Sequence, residues 1–457
     1  MKRTTGRNIT EGSIWKGLLL YFFPIWFGSL FQQMYTTVDA AIVGRFVGKE
    51  ALAALGGTTS LLVDLTIGFF IGASAGVGVV ISHCYGAEDG ERLRYGVHQA
   101  IRIAVLCGIV LMGVGFFGTP AALRLLNAPA EIIDGATIYL RVYFCGAVAS
   151  LIYNMGSGVL RAVGDAKRPL YFLIFTTIVN IFLDVLFVAV LRLGIFGAAL
   201  ATVLSQTASG TLVLYTLLKT TDSYRLVLRG QGHYPETFRK ILHLGLPAGF
   251  QYSLYSISNL IIQAQINLLG TDIVAAWTAT SKIDSIFWLT MTAFGTTMTT
   301  FAGQNYGAGQ LERVRQGMHR GIVIAIGLTA CICGPILLAA GPLMGIFTTD
   351  TAVIALGIHI LFYLVPTYFT YTPTELLGGI IKGLGNSFVP MLLSAISVCA
   401  LRSLWALTAP TIWPGLETVM FSYPFSWVIS SVLFILYYQC GPFMKGIRAQ
   451  EAAKGES

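Results

Sequence analysis

Two aspartates lie inside long apolar segments of the sequence, where a carboxylate is costly unless it serves a purpose. Asp39 stands in MYTTVDAAIVG, six residues before Arg45, and Asp184 stands in TTIVNIFLDVLF, eight residues before Arg192. At about 1.5 Å per helical residue, the two carboxylates would lie roughly 9 and 12 Å from the helix ends that these arginines mark. Asn180 precedes Asp184 by one helical turn and therefore shares its face.

Thr202 adds a hydroxyl at a similar depth on a third apolar segment. It lies eight residues beyond Gly194, about 12 Å deep, and Ala198 lies one turn before it. Carboxylate, amide and hydroxyl oxygens suit a small hard cation, and a carboxylate in low-dielectric surroundings holds a proton more readily than it does in water. The alternative is a polar contact between helices or, for Asp39, a side chain that reaches the membrane interface.

The second half of the chain carries a different set of polar side chains. Asn259, Gln263 and Asn267 are spaced by four and form one helical stripe, which would either line a water-filled cavity or hold helices together. Glu375 follows Pro373 in a locally irregular segment and could titrate. Aromatic rings can stack on organic cations, although lipid contact or core packing is the competing interpretation of each ring. The candidates for a substrate cavity are Gln32, Tyr35, Tyr139, Tyr153, Met155, Asn259, Gln263, Phe287 and Glu375.

The helices that would position these residues are predicted to span a membrane. Of the 457 residues, 55% are hydrophobic and only 11% are charged, which is too few charges to cover a water-soluble surface. Segments of about 20 apolar residues recur along the chain and predict an all-α membrane protein with twelve transmembrane helices. Their centres lie near Gly28, Gly68, Leu106, Ala147, Thr177, Gln206, Ser256, Thr290, Ala325, Val365, Val398 and Ile429.

The net charge of +8 has a topological explanation. Most Lys and Arg residues fall in the loops that share one side of the membrane with both chain ends, so the positive-inside rule predicts that both termini are cytoplasmic. The rule therefore accounts for the basic residues without a nucleic-acid partner. We find no phosphate-binding P-loop motif and expect neither an ATPase nor another enzyme.

The chain is an internal duplication with an offset of 221 residues. Between Tyr85 and Ala104, eleven of twenty positions are identical to their partners, and GVLRAVGDAKRP later matches GIIKGLGNSFVP. An offset of six spans gives both halves the same orientation and predicts a pseudo-two-fold axis along the membrane normal. We therefore expect a six-helix lobe at 1–219, a cytoplasmic linker at 220–237, and a six-helix lobe with a short cytoplasmic tail at 238–457.

The candidate cation cluster is confined to one half of the repeat. Leu401 and Trp405 stand opposite Asn180 and Asp184, and Ile262 stands near the counterpart of Asp39. A requirement of the scaffold would apply to both halves, so this asymmetry favours a functional role for the aspartates.

These features resemble the MATE (multidrug and toxic compound extrusion) family, on its prokaryotic DinF-like side. The resemblance covers residues 16–438 and rests on the two repeats, on QQMYTTVDAAIVG, and on the paired loop segments. It implies export of organic compounds, often cationic, by alternating access in exchange for protons or sodium, without a cofactor. It also implies that the coupling ion binds Asp39, Asn180, Asp184, the Ala198 carbonyl and Thr202, with sodium held by the four side chains.

The resemblance also implies a setting for this activity. We expect a monomer in a bacterial inner membrane whose partners are small organic molecules and the lipid bilayer. The seventh span has no carboxylate, which leaves Glu375 as the single counterpart of the acidic residues that related transporters carry in the C-terminal lobe. The alternative function is a flippase for lipid-linked oligosaccharides or other amphiphiles within the same superfamily.

Overall fold

A computed structural model describes residues 9–48, 51, 54–126, 129–227 and 234–446. Within these ranges the chain is helical and contains no β-strand. Parts of the predicted linker and tail, residues 228–233 and 447–457, lie outside the described residues, as do residues 1–8. The all-α prediction is therefore confirmed for the part of the chain that the structure covers.

Among the residues that the structure describes, seven helices with defined bounds follow one another in the first half of the chain. A π-helical segment, Val185–Val190, continues the sixth helix, and the two helices on either side of Gly146 are bent by 53° relative to each other. The helices are α1 (Ile14–Phe46), α2 (Gly57–Gly86), α3 (Gly90–Leu125), α4 (Ala130–Cys145), α5 (Ala147–Ala162), α6 (Lys167–Asp184) and α7 (Gly194–Lys219).

The second half repeats this order, and two of its spans contain a short segment that is not α-helical. The two segments are a 3₁₀ helix, Val365–Thr370, and a π-helix, Ala395–Leu401. The helices are α8 (Pro235–Asn267), α9 (Thr271–Gly307), α10 (Leu311–Leu338), α11 (Ala340–Gly345), α12 (Thr351–Leu364), α13 (Thr372–Gly383), α14 (Phe388–Ser394), α15 (Arg402–Ile412) and α16 (Leu416–Cys440).

Every one of the twelve predicted spans coincides with a long helix or a broken pair of helices. Among the described residues, nine helices are long and apolar enough to cross a membrane, and the bent pair α4–α5 makes ten. The remaining two, α8 and α9, have the required length but carry polar side chains such as Gln263 and Asp284. Large apolar side chains, including Phe117 and Leu338, are exposed, as expected for a surface that faces lipid.

Packing divides the chain into two compact units. Among the described residues, the first unit comprises 23–249, and the second comprises 9–22 together with 250–446. The start of α1 thus packs within the second unit, where Arg313 donates to the Gly12 carbonyl at 3.0 Å. The start of α8 packs within the first unit. The lobes predicted from the repeat, 1–219 and 238–457, follow the boundaries of the duplication and not those of the packing units. These lobes remain a prediction.

The repeated loops adopt the same backbone geometry in both halves. Gly164 and Gly385 both have φ of +89°, the left-handed geometry in which glycine commonly ends a helix. The residue after each glycine caps the next helix, because Asp165 accepts from the Arg168 amide and Asn386 accepts from the Val389 amide, both at 3.1 Å. The duplication is therefore preserved at the level of individual hydrogen bonds.

This geometry predicts a penalty for adding a side chain at either glycine. A left-handed backbone costs a non-glycine residue about 1–2 kcal/mol, so Gly164→Ala and Gly385→Ala should each lower the apparent Tm of the purified protein. Gly118→Ala is the matched control, since Gly118 is helical and has no atom within 4 Å of the added Cβ. Equal melting temperatures for all three variants would contradict the argument.

Glycines also permit close helix packing within the first unit. A Cβ on Gly76 would lie 2.3 Å from the Gly245 nitrogen, and one on Gly72 would lie 2.5 Å from the Ala248 carbonyl oxygen. Gly72 and Gly76 lie four residues apart on one face of α2, and this face lies directly against the backbone of α8.

Candidate functional site

The predicted cation cluster is buried within the first unit. Asp39 lies on α1, Asn180 and Asp184 lie on α6, and Thr202 lies on α7. Their exposed fractions are 7% for Asp39, 0% for Asn180 and Asp184, and 2% for Thr202. Ala198, one turn before Thr202, is also fully buried. Three helices therefore bring these residues into the interior of one unit.

The side chains are close enough to influence one another. Asp184 interacts electrostatically with Asp39, and the Asn180 side chain lies beside the Asp184 carboxylate. Tyr35, one turn before Asp39 on α1, lies beside Thr202 and interacts with both aspartates. The sequence spacing predicted a common depth, and the structure adds lateral proximity. The functional role of each residue remains a prediction.

Most polar atoms of the cluster have no hydrogen-bond partner among the described residues. The set includes both Asp184 carboxylate oxygens and both side-chain polar atoms of Asn180. A buried polar group without a partner is costly, and a buried carboxylate is more costly still. The unpartnered atoms are Tyr35 Oη, Asp39 Oδ1, Thr177 Oγ1, Asn180 Oδ1 and Nδ2, Asp184 Oδ1 and Oδ2, Thr202 Oγ1 and Gln206 Oε1.

These atoms form a donor set that fits a small cation. Two neighbouring carboxylates repel each other, and either a proton or a sodium ion would relieve this repulsion. Hydroxyl and amide oxygens complete an all-oxygen environment of the kind that hard cations prefer. The π-helical segment that starts at Val185 immediately follows Asp184, and such segments occur frequently at functional sites.

The structure adds residues that the sequence analysis did not assign to this cluster. Thr177 is buried and Gln206 is half-buried, each with an unpartnered side-chain oxygen, and Tyr139 interacts electrostatically with Asp39 and Asp184. Their sequence spacing could have indicated both residues, since Gln206 lies one turn from Thr202 and Thr177 lies three residues from Asn180. Among the proposed cavity residues, Tyr35 and Tyr139 therefore lie at the cation cluster itself.

The other proposed cavity residues of the first unit have varied surroundings. Gln32 is exposed on α1. Tyr153 is half-buried against the core around Val159 and Leu160, and Met155 is fully buried in that core.

The proposed cavity residues of the second unit have different surroundings. Asn259 is exposed, and Gln263 donates to Asn267 at 2.9 Å. Glu375 accepts a hydrogen bond from Tyr371 at 2.9 Å. Phe287 is fully buried, with its ring stacked 4.3 Å from that of Tyr368.

Two charged residues of the second unit emerge from the structure alone. Asp284 accepts a hydrogen bond from the Tyr368 hydroxyl at 2.7 Å. Arg402 is buried against aromatic rings. Neither residue was a predicted site residue, because hydropathy does not report which face of a helix is buried.

Long lipid-facing helices around a buried cluster of unpartnered oxygens define a polytopic membrane transporter. The MatE family pattern matches residues 24–186 and 247–406, one segment in each half of the repeat. The chain therefore belongs to the MATE family of membrane transporters, which confirms the resemblance found in the sequence.

Relatives and solved structures agree with this assignment. The chain is 30% identical over 437 residues to the probable multidrug resistance protein YpnP of Bacillus subtilis, covering 95% of this chain and 97% of YpnP. It is 26% identical over 444 residues to the probable multidrug resistance protein YoeA of the same organism, covering 94% of each chain. An outward-facing multidrug resistance MATE family transporter of the MOP superfamily has the same fold, with a TM-score of 0.90, 22% identity, and coverage of 99% of this chain and 100% of that one.

Proposed function

We propose that this protein is a secondary active exporter that expels organic compounds, often cationic ones, in exchange for protons or sodium ions. The observation that carries the proposal is the buried cluster of Asp39, Asn180, Asp184 and Thr202, whose polar atoms largely lack partners among the described residues. The relatives named as probable multidrug resistance proteins support export of several compounds rather than of one metabolite.

The proposed setting is a bacterial inner membrane with both chain ends in the cytoplasm. The two lobes, 1–219 and 238–457, would rearrange as a monomer around a substrate, with 220–237 linking them on the cytoplasmic side. The one-sided distribution of basic residues and the internal repeat support this arrangement.

The cation cluster would couple ion entry to substrate exit. The aspartate carboxylates would take up a proton or, with Asn180 and Thr202, coordinate a sodium ion, and either event neutralises charge inside the first unit. Coupling requires that the ion and the substrate favour different conformations, because a ligand shifts an equilibrium only by its differential affinity. Binding of the ion would thus weaken binding of the exported compound.

The test is transport of ethidium, a planar organic cation, in proteoliposomes that contain the purified full-length chain. A proton gradient and a sodium gradient are imposed separately, and empty liposomes provide the background. We expect one gradient to drive ethidium accumulation, which also identifies the coupling ion. Identical rates with and without both gradients would overturn the antiport proposal and favour the flippase function.

A further inference from the structure

Arg402 is a buried cation at the start of α15, inside the helical segment Phe388–Ile412. Its side chain is 3% exposed, and it directly follows the π-helical segment Ala395–Leu401. An arginine in the interior of a membrane span is expensive and points to a function by default. The transport mechanism proposed above makes no use of it.

The surroundings of Arg402 are aromatic on its faces and polar on one edge. The guanidinium carbon lies 4.4 Å from the centre of the Tyr423 ring and 5.7 Å from that of Trp427. Nε donates to the Ser426 hydroxyl at 3.1 Å. Nη2 is buried and has no hydrogen-bond partner in the described ranges. The aromatic rings therefore orient the guanidinium while one of its donor nitrogens stays unpaired.

Two half-buried carboxylates of the second unit have partners other than Arg402. Asp284 accepts from Tyr368 at 2.7 Å, and Glu375 accepts from Tyr371 at 2.9 Å and interacts electrostatically with Lys382. Arg402 makes no salt bridge with any residue that the structure describes. A buried cation without a counter-ion is strongly unfavourable unless another anion supplies the missing charge.

We propose that Arg402 binds the carboxylate of aromatic substrates, with Nη2 donating to the carboxylate and the neighbouring rings stacking on the aromatic part. Trp288 extends the wall, with its ring centre 5.8 Å from that of Trp427. Tyr423 is only half-buried, so rotation of its side chain would open the path to the guanidinium. Guanidinium and carboxylate form strong charge-assisted hydrogen bonds.

This inference extends the proposed export to substrates that carry an aromatic ring and a negative charge. It rests on the proposed function only for the fate of the bound compound, because binding itself requires no ion gradient. The second unit would then distinguish substrates by charge, while the first unit takes the coupling ion.

The test compares coumarin-3-carboxylate with its neutral analogue coumarin-3-carboxamide. Binding to the purified full-length protein in neutral detergent is followed by quenching of tryptophan fluorescence, without any gradient. We expect the wild type to bind the carboxylate at least about tenfold more tightly than the carboxamide, as a hydrogen bond to a buried charge implies. Equal affinities in the wild type would overturn the proposal, whatever the variants do.

Variants assign the preference to Arg402. Arg402→Gln should abolish the preference for the carboxylate while binding of the carboxamide persists, and Arg402→Lys should retain part of it. Arg124→Gln is the charge-matched control, because Arg124 is exposed on α3. A preference that survives in a folded Arg402→Gln protein would also overturn the proposal. Asp184→Asn should keep the preference, so a failure of ion coupling is distinguishable from a failure of this site.

Discussion

Replacing Asp184 with asparagine is expected to abolish gradient-driven transport, with initial rates at least about tenfold below those of the wild type. Asp184 is fully buried, and both of its carboxylate oxygens lack partners among the residues described. Asparagine keeps the size of the side chain but can neither take up a proton nor offer a negative charge to sodium. The ion then binds both conformations equally, and the gradient no longer drives the cycle.

The same substitution should leave the fold intact or stabilise it. If Asp184 merely joined helices, asparagine would weaken that contact and lower the apparent Tm. If its charge is uncompensated until an ion binds, neutralising it removes an unfavourable term and the Tm should stay the same or rise. Loss of transport together with an unchanged or higher Tm is therefore the signature of a coupling residue.

Asp134→Asn is the control for Asp184→Asn. Asp134 is an exposed aspartate on α4 in the same unit, so its replacement removes an equal charge from a solvated position. Asp39→Asn should resemble Asp184→Asn, because the two carboxylates interact. Wild-type transport by Asp184→Asn under the active gradient would show that the cluster is structural.

Span positions, helix ends and depth along a helix can be predicted from the sequence, because each depends on the order of residues along one helix. Apolar length locates twelve helical spans because the bilayer imposes a minimum thickness on every crossing. The repeat locates Gly164 and Gly385, because a helix end with positive φ demands the same residue type in both halves. Depth along a helix also follows from sequence, which is why Asp39, Asp184 and Thr202 emerge together.

Lateral relations between helices are harder to infer. The unpartnered oxygen of Gln206 and the burial of Arg402 depend on how neighbouring helices are rotated, which hydropathy does not encode. The π-helical segments depart from the regular 3.6-residue period on which face assignments depend. The second packing unit also contains the start of α1, which belongs to the first half of the repeat. An offset of 221 residues cannot reveal this exchange.

Adding a single methyl group where α2 crosses α8 is expected to lower the stability of the protein substantially. In Gly76→Ala the new Cβ would stand 2.3 Å from the Gly245 nitrogen and 2.4 Å from its Cα, so the two backbones must separate. Overpacking typically costs about 1–3 kcal/mol, and here the obstacle is backbone rather than a flexible side chain. Loss of close backbone contact also removes van der Waals attraction, the main force between membrane helices.

Gly113→Ala is the control, and its expected effect on stability is opposite in sign. Gly113 lies within α3, and an added Cβ there meets no atom within 4 Å. Replacing an unhindered helical glycine with alanine typically stabilises a helix by about 0.5–1 kcal/mol. Apparent melting temperatures at one fixed scan rate should therefore fall by several degrees for Gly76→Ala and hold or rise for Gly113→Ala. If both variants melt like the wild type, the α2–α8 contact adapts to the extra methyl group, and the close approach of the two helices is not needed for stability.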